Sequence, residues 1–381
     1  MCRRGNSAGP SEVRTTNGYE HSAAFQETLR DVAMIDAIPK GFIVGCGKSG
    51  TTWLKNIIAG HPHAVVDGEG ALGWRLLPEL VGAAKLFNAH QDRFKLGGHT
   101  KLTEDDLVQT FRFACLQRFA AYARRAGKDL SSLRLIGDKT PQHTVVMAQL
   151  AAVFPEAKFV HVVRDPRDAA TSAWFHFGQG GDTNTPAFEK HASEFISGPW
   201  SVCVGAAVKA ELDSTGRVTH VRYELLHASP EEEVGRVLGF LGLDTGTASI
   251  DACLEAGRFE RFAKGRGRGE EDAESFYRKG IVGDWANHMT EAQALRTCAP
   301  VRTLMERLST GSVRAWWFSS LSPRGRGPGR GATQSSSSLF LLSRSRLSWF
   351  RRPCPYASHL LSPPARSKTR PAVHPWRVVK R

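Results

Sequence analysis

One short stretch constrains this chain more than any other. Gly41-Phe42-Ile43-Val44 is an apolar run with the composition of a buried strand. It leads directly into Gly45-Cys46-Gly47-Lys48-Ser49-Gly50-Thr51-Thr52-Trp53. Leu54-Lys55-Asn56-Ile57-Ile58-Ala59 then continues as a helix. Strand, glycine loop and helix in that order make a cradle for a phosphate-like anion. The glycines let backbone N–H groups converge on one point, and the helix N-terminus adds partial positive charge. Lys48 brings a point charge, and Ser49, Thr51 and Thr52 bring hydroxyl donors. Trp53 offers a flat ring on which a nucleobase can stack. The loop is not the triphosphate version, which needs Gly, four residues and then Gly-Lys-Ser/Thr. Phe42 stands where the first glycine of that pattern belongs.

The charge balance narrows the function classes. The net charge is +14. Fourteen of the 51 basic residues lie in 311–381, which holds no Asp or Glu, so residues 1–310 balance at 37 of each sign. The body therefore lacks the charge excess of a nucleic-acid binder. The tail is Ser-, Arg-, Pro- and Gly-rich without periodicity and reads as disordered. Seven scattered cysteines without a Cys-x-x-Cys pair argue against a disulfide framework or a zinc site. Cys46, inside the loop, reads as a space-filling residue. No apolar run approaches the roughly 18 residues of a membrane span, and Met1–Pro10 lacks the apolar core of a secretory signal. A cytoplasmic protein with reduced thiols is expected.

Along the chain, strands and helices alternate. A helix is expected over Ala23–Ile38, stopped by Pro39. Leu133–Ile136, Lys158–Val163 and Val218–Tyr223 read as strands, and Thr144–Phe154 and Glu231–Leu241 as helices. This rhythm predicts an α/β domain with a central parallel sheet flanked by helices and a P-loop-like anion loop. The expected organisation is an N-terminal extension over 1–38, one catalytic domain over 39–310 and the basic tail over 311–381.

A second anion site is legible at the end of the clearest strand. Phe159–Val163 runs into Arg164-Asp165-Pro166-Arg167-Asp168, placing Arg164 where parallel sheets bind ligands. A guanidinium there grips phosphate with two N–H bonds. Ser172 lies two helical turns further on. Later, Arg278-Lys279-Gly280 supplies two more cations and a backbone donor, within Arg278-Lys279-Gly280-Ile281-Val282-Gly283-Asp284-Trp285. Lys139, after a strand in Gly137-Asp138-Lys139-Thr140-Pro141, falls in the same crevice.

These motifs resemble those of the sulfotransferases that use 3′-phosphoadenosine 5′-phosphosulfate. The first loop is similar to their Pro-Lys-Ser-Gly-Thr-Thr-Trp, with Gly47 for the proline. The resemblance implies that Lys48, Ser49, Gly50, Thr51, Thr52 and Trp53 hold the 5′-phosphosulfate end. It implies that Arg164, Ser172, Arg278, Lys279 and Gly280 hold the 3′-phosphate. Tyr223, in a stretch similar to the family's Tyr-Glu-Asp-Leu, would lie near the adenine with Trp53. Lys48 and Lys139 would meet the charge that develops in transfer. The base is the least defined part. Cytosolic members use a His directly after the Lys-Thr element, where this chain has Pro141. Glycan-type members use a Glu about twenty residues beyond the loop lysine, and Glu69 resembles it. Glu69 is therefore the expected base, with His143, His99 and Asp67 behind it. No metal is expected, and the acceptor is a small molecule or a glycan.

Two other readings stay open at this point. A P-loop kinase would need the missing first glycine and a magnesium-holding carboxylate. A catalytically inactive nucleotide-binding protein would do its work through the basic tail, on RNA or membrane.

Overall fold

The computed structural model describes residues 23–177, 181–214, 216–272 and 275–308. The expected tail and the first 22 residues of the N-terminal extension lie outside them. Five strands occur in the order β1 (Lys40–Gly45), β2 (Ala64–Gly68), β3 (Leu135–Lys139), β4 (Lys158–Val163) and β5 (Val218–Arg222). Helices α1 (Ala23–Ala37), α2 (Thr51–Ala59), α3 (Leu77–Arg93) and α4 (Glu104–Ala126) fall before β3. Next come α5 (Met147–Val153), α6 (Pro166–His176), α7 (Pro186–Phe195) and α8 (Ser201–Asp213). After β5 follow α9 (Tyr223–Ala228), α10 (Pro230–Leu241), α11 (Thr247–Ala256), α12 (Phe259–Phe262), α13 (Glu291–Cys298) and α14 (Arg302–Leu308).

The strands form one wholly parallel sheet in the order β2-β3-β1-β4-β5. The chain leaves β1 towards β2 and β3 on one side and returns to β4 and β5 on the other. The crevice at the end of β1 is thus the switch point where open parallel sheets take ligands. Every residue of β1 is buried, as both faces of such a sheet require. Alternate residues serve opposite faces. Phe42 stacks on Phe159 at 5.5 Å between ring centroids, with Phe119 and Phe154 beyond. Ile43 joins Leu54, Ile57 and Val160 on the opposite face. A third apolar group, centred on Trp174, Phe188 and Trp200, packs α6, α7, α8 and the last two helices together. Among the described residues no helix is long and apolar enough to cross a membrane.

The sequence expectations need adjustment at several elements. β2 was not foreseen, because its edge position and the polar Asp67-Gly68 hide a strand of five residues. It is anchored at its start by Lys128, whose Nζ donates to the carbonyls of Ala59, His61 and Ala64 at 3.2, 2.7 and 2.7 Å. The strand expected over Leu133–Ile136 runs over Leu135–Lys139, so Lys139 ends the strand rather than following it. The helix expected from Thr144 starts at Met147, after a 3-10 segment opened by Pro141. Helices α3 and α4 were not foreseen. α4 is opened by a capping box between Thr103 and Asp106 and closed by Gly127 at φ 64°.

Gly137 fixes the contact between β1 and β3. A Cβ built there would lie 1.7 Å from the carbonyl oxygen of Gly41, which is backbone and cannot turn away. We expect Gly137→Ala to cost about 3 kcal/mol through overpacking, read as a lower urea midpoint. Gly82→Ala, with nothing within 4 Å of the new methyl, should leave stability unchanged or raise it by up to about 1 kcal/mol.

Candidate active site

The loop after β1 folds as its glycines require. Gly50 sits at φ 96° and Lys48 at φ 69°. Gly50 caps α2 without any side-chain bond to the helix, so the first N–H groups of α2 face outward unsatisfied. Ser49 is fully buried below the turn, and its Oγ has no partner among the described residues. Tyr223 leans on the loop so closely that a Cβ at Gly50 would lie 2.5 Å from its ring. The ring of Trp53 meets that of Tyr223 edge-on at 5.4 Å, and its Nε1 donates to the Gly257 carbonyl at 2.9 Å.

Arg164 follows directly after β4, beside this loop. Its Nη1 donates to the Lys48 carbonyl at 3.3 Å and its Nη2 to the Ile281 carbonyl at 3.0 Å. The guanidinium lies 4.3 Å from the Tyr223 ring centroid. Asp165 does not engage it. Asp165 caps α6 through the Arg167 N–H and binds the Arg167 guanidinium at 2.9 and 2.5 Å. That leaves Arg164 directed at the cleft. Burial opposes its charge, and Tyr223, Asp168, Glu224 and Asp165 more than compensate, so it stays protonated.

A cleft of about 790 Å³ opens here. Lys48, Gly50, Thr51, Thr52, Trp53, Arg164, Ser172, Tyr223, Arg278, Lys279 and Gly280 all line it. Of the expected donor-binding residues only Ser49 lies beneath rather than along the wall. Lys48 is shifted down to about 8, first by burial, then by the Arg164 and Arg278 charges, against which Glu69 pulls upward. Its Nζ stands 4.3 Å above the Phe276 ring.

A covering segment, residues 275–285, closes one side. Asp168, buried in α6, accepts the N–H groups of Gly283 and Trp285 at 2.8 and 2.9 Å. Arg278 pairs with Asp284 and Glu271, and Lys279 pairs with the same two at 2.9 and 3.2 Å. Burial works against charge on Asp284, but hydrogen bonds from His288, Asn287, Arg278 and Lys279 outweigh it and hold its carboxyl far below the usual range. The Lys264–Gly269 stretch is tied to this segment. Arg266 donates to the Tyr277 and Arg278 carbonyls, and Arg268 donates to Gly280 while lying 4.6 Å over Trp53. The sequence reading gave Asp168, Asp284 and Glu271 no role: the partners of Asp168 lie more than a hundred residues along the chain, and the pairings of Asp284 and Glu271 depend on how the 275–285 segment folds back.

Comparison with known proteins fits this arrangement. The sequence profile of the sulfotransferase family matches residues 39–246, more than half of the chain. The chain belongs to the sulfotransferase family. Nodulation protein NoeE of Sinorhizobium fredii is 27% identical over 233 residues, which is 56% of this chain and 52% of that protein. Human sulfotransferase 1C2 is 27% identical over 168 residues, 40% of this chain and 56% of its own. The chain thus spans about half the length of the curated relatives it matches. Mouse sulfotransferase SULT7A1, solved with PAP, aligns over 77% of this chain and 95% of its own, at 15% identity and a TM-score of 0.42.

Lys139, expected in the same crevice, ends β3 beside Thr52 of the loop. Lys139 is buried, and its Nζ binds Glu69 Oε1 at 2.5 Å and Thr52 Oγ1 at 3.1 Å. Asp138 points to the other face and accepts from Gly70 N–H, Tyr122 and Thr140 at 2.9, 3.0 and 2.6 Å. It thereby fixes the turn that carries Glu69. His143 is not brought to the cleft. It is fully buried against Phe42, its Nε2 accepts the Gly73 N–H at 3.0 Å, and burial pushes it down to about 3. Asp67 is engaged by Arg125. A hydrogen bond to Cys203, together with burial, holds the Cys46 thiol well above its usual range, so Cys46 is an unreactive filler.

The covering segment depends on Asp168. Asp168→Ala should release two buried N–H bonds and raise amide hydrogen exchange across 276–285 by at least tenfold, with the exchange of β1 and β4 unchanged.

Proposed function

We propose that this chain transfers a sulfuryl group from 3′-phosphoadenosine 5′-phosphosulfate to a hydroxyl or amine of a small-molecule or glycan acceptor. The observation that carries this reading is the contact of Arg164 with the Lys48 carbonyl, which puts two anion-gripping groups on one cleft. In this reading the loop N–H groups, Lys48 and Thr52 hold the phosphosulfate end. Arg164 and Ser172 hold the 3′-phosphate, and Arg278, Lys279 and Gly280 close over it. Tyr223 and Trp53 flank the base. The residues fit such a donor: unsatisfied helix N–H groups, Lys48 and the Arg164 Nε, unpartnered among the described residues, meet two anions, and an aromatic pair meets a flat ring. Arg268, over Trp53, would close the same end.

Lys48 and Lys139 supply fixed positive charge where the transferred group and the leaving phosphate gain negative charge. Glu69, on an exposed turn with Oε1 held by Lys139, presents its other oxygen to the acceptor proton. The kinase reading finds no support in the loop, which lacks the first glycine of that pattern.

Lys48→Ala and Arg164→Ala should each weaken adenosine 3′,5′-bisphosphate at least tenfold by calorimetry. The wild-type affinity should also depend on pH. Lys48 carries its charge below about 8 and loses it above, while the ligand phosphates are already ionised. Affinity is therefore full near pH 7 and falls as pH rises through 8, and Lys48→Arg should flatten that fall. Unchanged affinity in both alanine variants would refute the site.

Glu69→Gln should lower turnover of radiolabelled donor about 100-fold while changing donor affinity less than threefold. Equal turnover would place the base elsewhere.

A further inference from the structure

We propose that His176 is a second proton acceptor at this opening, sharing with Glu69 the removal of the acceptor's proton. The inference rests on the sulfuryl-transfer reading and deepens it. His176 lies four residues after Ser172 on α6, on the same helix face and one turn closer to solvent. Its ring packs edge-on against Phe276 at 5.3 Å and 85°. Phe276 is the ring above which Lys48 Nζ stands at 4.3 Å. A single exposed aromatic plane therefore carries the loop lysine and the imidazole.

The charges facing His176 come from three elements. Lys48 reaches it from the loop before α2, and Glu69 from the turn after β2. On the covering segment, Arg278 is held 4.5 Å over the neighbouring Phe175. Burial and the Lys48 charge keep the imidazole below its ordinary value, and Glu69 opposes them. It is thus neutral near pH 7, in the form that accepts a proton. Glu69 has one oxygen committed to Lys139, whereas the His176 ring lies against Phe177 and Phe276 and is open to solvent.

The step balances simply. The acceptor oxygen or nitrogen forms its bond to sulfur as the bond from sulfur to the bridging phosphate oxygen breaks. The electron pair stays on the leaving phosphate, and the acceptor proton moves to the imidazole. The resulting imidazolium is exposed, is favoured by the Glu69 charge and returns its proton to solvent.

The test uses water as the acceptor, so that no acceptor need be identified. Sulfate release from radiolabelled 3′-phosphoadenosine 5′-phosphosulfate is followed from pH 5 to 9 with the full chain. The wild type should show a rate that rises with pH through the imidazole range. His176→Gln should lose that limb and slow at least tenfold near pH 7, with affinity for adenosine 3′,5′-bisphosphate within threefold. His176→Gly should regain part of the rate with added imidazole, which a merely structural role would not allow. A variant that keeps the wild-type rate and pH limb overturns His176. A wild type that neither binds adenosine 3′,5′-bisphosphate nor speeds sulfate release overturns the sulfuryl-transfer reading itself.

Discussion

The site is organised around one buried guanidinium. Arg164 joins three parts of the chain that share no local sequence: its own strand β4, the loop after β1 through the Lys48 carbonyl, and the covering segment through the Ile281 carbonyl. Taking an ion out of water costs several kcal/mol even after relaxation. Asp168, Glu224 and Asp165 offset that cost from behind. Asp165 and Asp168 also have other duties, one as cap and partner of Arg167, the other as acceptor for the covering segment. The acidic side of α6 therefore holds Arg164 charged while its donors face forward. A hydrophobic residue of similar volume would make a more stable strand end. In the proposed function, the guanidinium of Arg164 is a cost accepted for anion binding.

The electrostatics around Lys48 follow from the same crowding. Arg164, Arg278 and Lys139 all lie near enough to repel its charge, and burial adds to them. Their sum is a field that favours an anion strongly and tolerates a lysine poorly. The protein relieves part of it with Glu69, which pairs with Lys139 and pulls Lys48 back towards its charged form. Thus Glu69 contributes to the resting balance of the cationic cluster, besides the proton-accepting role proposed for it. The His176 imidazole proposed as a proton acceptor, packed edge-on against Phe276, would add basicity without adding another resting charge to that balance.

Much of this was legible because the chemistry sits in contiguous motifs. The Gly45–Trp53 loop needs only its own glycines and the two elements that flank it, so its spacing alone reveals it. Arg164 was legible because a strand end fixes its direction. The parallel sheet followed from the alternation of apolar runs. The rest depended on pairs that sequence spacing does not encode. Nothing near Lys139 indicates that its partner is Glu69, since β2 and β3 become neighbours only through the sheet register Gly68 to Lys139. Nothing near Asp165 says that Arg167 rather than Arg164 takes it. His143 looked available in a Lys-Thr-Pro-Gln-His run, yet Pro141 starts a 3-10 segment that turns the ring into the Phe42 layer. β2 and α4 were missed because a short edge strand carries weak alternation and a long helix with both charged and apolar residues reads as neither.

The covering segment shows why the cations of this site come already paired. Arg278 and Lys279 are both held by Asp284 and Glu271. Unpaired, two adjacent cations facing Lys48 and Arg164 would drive the segment away from the cleft. Paired, they let it dock through Asp168 before any ligand arrives. Under the proposed function an entering phosphate would exchange with carboxylates rather than order a free loop, so less conformational entropy would be lost on binding. The penalty is competition, since each carboxylate must be displaced or shared. Exposure decides where that happens. Asp284 is buried and locked by four donors, whereas Glu271 is open to solvent at 37%. In that reading Glu271 is the carboxylate that would yield, and Asp284 the one that would keep Arg278 and Lys279 aimed while it does.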